Sequence, residues 1–211
     1  MSQLSEIEIW KEIRKQTGSA TFTAALIAHM KAESALKSTN LQNSYEKKLK
    51  MSDAEYTDEV DQKRYDREKF AHDSAGYGLC QWTFWSRKAM LWDFCFDGGY
   101  PSIGDTEMQI DFAIYELTKN YLSIWGNRFN MTLLEAVTLL HKQYERPADQ
   151  SDEAIQRRYH IAEDILKKYH AEMPDPDPKQ EDNQTMILNY LKSIKEDVTA
   201  VEQLIMRGRI E

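Results

Sequence analysis

Glu33 closes an apolar run. On a helix its neighbours at i−3, i−4 and i−7 are Met30, His29 and Leu26, so its carboxyl continues the buried face. Partial loss of water raises a carboxyl pKa and keeps the proton on near neutrality. That property suits a general acid in glycosidic cleavage. The plainer reading of Glu33 is a helix end turned to water. Further on, the segment AGYGLCQWTFW joins small, amide and aromatic residues. Gly76 and Gly78 let backbone approach a ligand closely, and Gln81 can donate to and accept from an N-acetyl amide. Tyr77, Trp82 and Trp85 offer flat apolar faces with polar edges, which suit pyranose rings. A hydrophobic core is the competing reading for these aromatics, above all for Trp82 and Trp92. Metal chemistry finds little support: the five histidines (29, 72, 141, 160, 170) include no pair three or four apart, and neither cysteine belongs to a CxxC. There is no glycine-rich phosphate loop and no GxSxG elbow. No metal and no cofactor is expected, which leaves carboxylate chemistry and sugar-type recognition.

Helices must position these groups. Ser5 with Glu8 forms a capping box ahead of Ile9, Trp10 and Ile13, and Gly18 ends that segment. A second helix, from about Thr21 to Ala35, carries Glu33. Residues 41–73 are crowded with charge and show no apolar stripe, and they read as a surface excursion near the cleft with one or two short helices. A helix is expected from about Ser86 to Phe96. Another runs from Ser102 and Asp105 to about Asn120, with Met108, Phe112, Tyr115 and Leu117 as its core. Thr132 and Glu135 cap a helix that ends before Pro147, and Ser151 caps one carrying Ile155, Tyr159, Ala162, Leu166 and Tyr169. Residues 1–172 thus read as one mainly α domain. Residues 173–185 are a Pro/Asp-rich linker. Residues 186–211 form an amphipathic helix with Ile187, Leu191, Ile194, Val198, Val201 and Ile205 at heptad spacing. It either self-associates, or docks a tail or scaffold protein, as a short coiled coil, or it packs back onto the domain.

Composition narrows the function. With 211 residues and a net charge of −8, the chain lacks the basic face that nucleic-acid binding needs and would not dock on an anionic membrane. No apolar stretch approaches the roughly 18 residues of a membrane span. The first residues, MSQLSEIEIWKEI, place acids where a signal peptide carries Lys or Arg. Cys80 and Cys95 do not make a disulfide framework and are expected to pack as small apolar residues.

The segments HMKAESAL, NLQNSYEKKLKMSDAEYTDEV, DSAGYGLCQWTFWSRK and QYERPAD, in this order and spacing, resemble the phage tail lysozyme family, a branch of the lysozyme-like superfamily. The likeness covers roughly residues 15–170. It implies a lysozyme-like two-lobed helical domain with little or no β structure, and cleavage of the glycan strands of peptidoglycan. Residue by residue, it implies that Glu33 is the catalytic acid and that Asp73 is the acid shortly before the GYGLxQW stretch. It places the GLCQ stretch, with Gly78 and Gln81, along the glycan cleft, and Tyr144 and Glu145 where relatives hold a cleft-floor tyrosine, while Tyr77, Trp82 and Trp85 are binding candidates from their own chemistry. Cys80 stands where the family is expected to hold a smaller residue, which should affect packing only.

Two chemistries share Glu33 as proton donor. An N-acetylmuramidase that inverts needs a second carboxylate about 6.5–9.5 Å away to activate water, and Asp73 is the first candidate. Asp53, Asp58 and Asp61 are lesser ones. A lytic transglycosylase needs none, because the sugar's own C6 hydroxyl attacks. A retaining route with Asp73 as nucleophile wants the pair about 5–5.5 Å apart. The rival from another class is a module that binds peptidoglycan without cutting it. The acidic balance persists when the tail is set aside, and anionic wall polymers would repel such a surface at long range. The expectation is an enzyme made in the bacterial cytoplasm that acts at the wall as part of a virion or after release.

Overall fold

A computed structural model describes residues 3–172. The linker 173–185 and the amphipathic helix 186–211 read from the sequence lie outside the described residues. The first two helices are α1 (Glu6–Thr17) and α2 (Ala20–Ser34). The Ser5–Glu8 capping box is formed, and Gly18 takes the left-handed conformation (φ +71°) that stops α1. Ser19 caps α2, its Oγ accepting from Phe22 N at 3.2 Å. Residues 22–30 of α2 are all buried, because a helix apolar on every side has to be surrounded. Its neighbours are α1 and, from the far end of the chain, α9 (Leu133–Leu139) and α10 (Asp152–Tyr169). Burying Phe22, Leu26, Ile27 and Met30 contributes about 1.5–3 kcal/mol each.

The charged excursion folds as three short helices, α3 (Asn43–Leu49), α4 (Asp53–Asp61) and α5 (Arg67–His72). It is not surface throughout, since Tyr56, Val60 and Phe70 are fully buried. Tyr56 and Val60 span a single turn of α4 and Phe70 lies on α5, so no stripe runs on through the segment. Partners distant in the chain bury them instead: Tyr56 packs on Tyr77 with ring centroids 5.3 Å apart, and Phe70 on Trp92 at 5.8 Å.

The chain continues through α6 (Trp85–Asp97), α7 (Thr106–Asn120) and α8 (Leu122–Gly126). On α7 the buried face is turned one residue from expectation. Met108, Phe112 and Leu117 are buried as anticipated, but Glu116 is buried and Tyr115 is exposed. Thr132 and Glu135 form their capping box. Beyond α9 the helix widens into a π turn, Leu140–Glu145, closed by Arg146 N donating to His141 O at 3.0 Å. Such turns re-aim side chains and recur at functional sites. Between α5 and α6, Tyr77 makes isolated bridges to Leu41 and Trp82, with no sheet among the described residues. The fold is mainly α and lysozyme-like. Cys80 and Cys95 are buried free thiols. No helix among the described residues is long and apolar enough to cross a membrane.

Candidate active site

The last turn of α2 opens into a cleft of about 1120 Å³ lined by Glu33, Gln81, Trp85, Arg87 and Glu145. A second hollow of about 510 Å³ shares Glu33, Gln42 and Gln81 with it, so the two form one groove that meets at Glu33. Two successive left-handed residues, Ala35 (φ 52°) and Leu36 (φ 65°), turn the chain sharply after Glu33. Ser34 pins the helix end to the opposite wall, its hydroxyl lying 2.9 Å from Met30 O and 3.0 Å from Leu79 O. Ser74, Gln81 and Arg146 also combine a positive φ with a place in the cleft lining. Each such residue costs about 1–3 kcal/mol, and strain of this kind gathers at functional sites.

The sequence pattern predicts an apolar setting for Glu33. Instead its Oε1 accepts from Arg158 Nη2 at 2.6 Å, and about one fifth of the Glu33 side chain is exposed. Arg158 comes from α10, and no local pattern could have paired residues so far apart in sequence.

Asp73 sits apart from the cleft lining. Its side chain is 3% exposed, and both oxygens are engaged. Lys88 Nζ donates to Oδ1 at 2.5 Å, the Tyr56 hydroxyl to Oδ2 at 2.5 Å, and Ala75 N to Oδ1 at 2.8 Å. Lys88 is itself fully buried, and burial lowers its pKa to about 8 although Asp73 opposes the shift. Asp73 therefore terminates a buried ion pair beneath α5 and α6, with no carboxylate oxygen free for water activation.

Four other expected residues lie behind the cleft surface. Tyr77 is fully buried, its hydroxyl 2.7 Å from Thr57 Oγ1. Gly78 (φ +77°) is needed for packing inside the protein: a Cβ there would meet Gln109 Oε1 at 2.5 Å. Trp82 and Tyr144 are fully buried and converge on Glu116, donating to its Oε2 from Nε1 at 2.8 Å and from the hydroxyl at 2.9 Å. Arg87 clamps the same carboxylate with two bonds of 2.7 Å. Glu116 thus ties the GLCQW and QYERP segments together. A carboxyl one turn after Phe112, on the apolar face of a helix, was the signal that could have found it.

Three expected residues do face the groove. Gln81 Nε2 is committed to Asn40 O (3.0 Å), Asn40 Oδ1 (2.9 Å) and Gly78 O (3.0 Å), so its oxygen is what remains for a ligand. Trp85 is 52% exposed and stacks on His72, the ring centroids 5.5 Å apart and 14° from parallel. Phe84, unforeseen, extends this shelf at 58% exposure. Glu145 is half-buried as a residue, but its Oε1 is sealed from solvent and has no hydrogen-bond partner among the described residues. Burial pushes its pKa up to about 8. Arg87 opposes that shift, while the charges of Glu33 and Glu116 add to it. No cluster of three or more potential metal ligands occurs among the described residues.

No curated protein and no solved structure matches the chain. The phage tail lysozyme family model does, over residues 5–169, which spans every cleft residue described above. With it comes a lysozyme-like, peptidoglycan-degrading role. A helical domain whose central helix delivers a glutamate into an aromatic-edged groove fits that match, and the chain belongs to the phage tail lysozyme family.

Proposed function

We propose that the protein is an N-acetylmuramidase that cuts peptidoglycan glycan strands, with Glu33 as general acid. The observation that carries this reading is the place of Glu33 at the junction of the two hollows, where a strand lying along the groove would expose a glycosidic oxygen to it. Glu33 gives its proton to the oxygen leaving C1 as that bond breaks, water adds at C1, and the proton that this water loses returns to the Glu33 carboxylate. The carboxylate that forms is met by Arg158, which already pairs with Glu33 at 2.6 Å in the resting site. Trp85, with Phe84 beside it, offers a sugar ring an apolar platform.

A second reading, lytic transglycosylase, draws support from Glu145. With Asp73 in a buried ion pair, Glu145 is the only other carboxyl lining the main cleft among the described residues, and its Oε1 is sealed without a hydrogen-bond partner. Activation of water for inversion requires an ionised second carboxylate. Ring closure by the C6 hydroxyl, with Glu33 returning as base, does not.

Digestion of purified peptidoglycan by wild type and by Glu33→Gln, with product masses recorded, tests both. Loss of about 10²–10⁴-fold in rate is expected for the variant. Reducing muramic ends support hydrolysis and 1,6-anhydro ends the transglycosylase. Cleavage that survives Glu33→Gln removes Glu33 from the chemistry. A wild type that binds the wall without cutting it establishes the binding module instead. The acidic surface also fits delivery to the wall by a particle better than free diffusion towards anionic polymers.

A further inference from the structure

Two carboxyls, the buried Glu116 and the half-buried Glu145, lie near the guanidinium of Arg87, and the geometry divides them unequally. Glu116 takes both bonds from Arg87 and two more from Trp82 and Tyr144. Glu145 receives none of these, and its Oε1 has no hydrogen-bond partner among the described residues although it is shut off from water. One buried cation offsets one buried anion; a second carboxylate beside it, with one oxygen sealed and unbonded and only the Cys80 thiol as a hydrogen-bond partner among the described residues, is costly to ionise and keeps its proton instead.

Resting on the glycan-cleaving reading of the cleft, we propose that Glu145 works as a neutral carboxylic acid that donates a hydrogen bond to an oxygen of the bound N-acetyl sugar. It is a substrate-binding residue and neither a base nor a nucleophile. The π turn makes this possible, since Tyr144 and Glu145 are adjacent, yet one points to the buried Glu116 and the other lines the cleft. The groups facing Glu145 are Glu33 from α2, Cys80 from the loop before α6, Arg87 from α6 and Glu116 from α7. Only Arg87 favours ionisation by its charge, and it is already clamped on Glu116. Burial and these neighbours hold the proton on Glu145 up to about pH 8, so sugar binding weakens above that pH.

Glu145→Gln keeps a neutral donor of the same shape, whereas Glu145→Met keeps the volume and removes the donor. Peptidoglycan cleavage and retention on insoluble peptidoglycan are measured from pH 5 to 9, with melting curves to confirm that each variant is folded. Glu145→Gln is expected to lose a few-fold in kcat/KM and to lose the fall in activity near pH 8. Glu145→Met is expected to lose about 10- to 100-fold, the worth of one buried hydrogen bond. A Glu145→Gln variant as dead as Glu33→Gln at every pH would overturn the proposal, because Glu145 would then act ionised. So would a Glu145→Met variant that keeps both full rate and the alkaline fall. If the wild type cuts nothing, the glycan-cleaving reading fails separately. Retention then decides: loss in Glu145→Met together with a lost alkaline fall in Glu145→Gln upholds the donor role, and equal retention by all three proteins ends it.

Discussion

Asp73→Asn separates a catalytic aspartate from a structural one. The substitution leaves Lys88 with Tyr56 (3.1 Å) and the Ala75 carbonyl (3.0 Å) but without its counter-ion. Removing one partner of a buried pair costs about 3–5 kcal/mol, because the other charge stays behind. Lys88 lowers that figure, because it can release its proton. Burial already lowers its pKa to about 8 with Asp73 present, and without the aspartate it sheds its proton. At pH 7 that release costs only about 1.4 kcal/mol more than the wild type already bears, because pH 7 lies one unit below a pKa of about 8. A domain of this size loses about 2–4 °C in Tm per kcal/mol, so a fall of about 3–6 °C is expected. The double variant Asp73→Asn/Lys88→Met should recover most of it, since a neutral, packed replacement leaves no charge behind. The assay pairs thermal melts with peptidoglycan cleavage at a temperature where all variants remain folded. Substantial activity in folded Asp73→Asn is expected. A variant with wild-type Tm and the activity of Glu33→Gln would refute the structural assignment and return Asp73 to the chemistry.

Two further substitutions distinguish wall from core. Trp85→Ala removes a half-exposed ring that faces the groove and touches His72. KM should rise about 2- to 10-fold, the worth of one aromatic face, with stability within about 0.5 kcal/mol of wild type; a large loss of kcat at unchanged KM would contradict a platform role. Gly78→Ala should instead cost about 2–4 kcal/mol, through its left-handed φ and a Cβ forced against Gln109. That side chain cannot easily yield, as it bonds Leu79 N, Ser38 O and Ile103 O. A stable Gly78→Ala protein that no longer binds peptidoglycan would mean that the glycine serves the ligand after all.

The amino-acid sequence alone determined the helical class and the capping residues Ser5, Ser52, Thr132 and Ser151, because a cap and its helix lie within a few residues of each other. Ser52 with Glu55 obeys the same local rule inside a charged stretch whose buried aromatics form no stripe. The sequence also located Glu33, Gln81, Trp85 and Glu145, all of which line the cleft. It could not say which way a residue in GYGLCQW or QYER points. Neighbours in an irregular segment diverge, so Trp82 is core while Trp85 is exposed, and Tyr144 binds Glu116 while Glu145 lines the groove. Charge pairing was equally invisible: Lys88 with Asp73, Arg87 with Glu116 and Arg158 with Glu33 join different elements, 15, 29 and 125 residues apart. The tertiary structure decided which carboxyl keeps its proton. That depends on water and counter-ions in three dimensions, and no spacing along the chain encodes either.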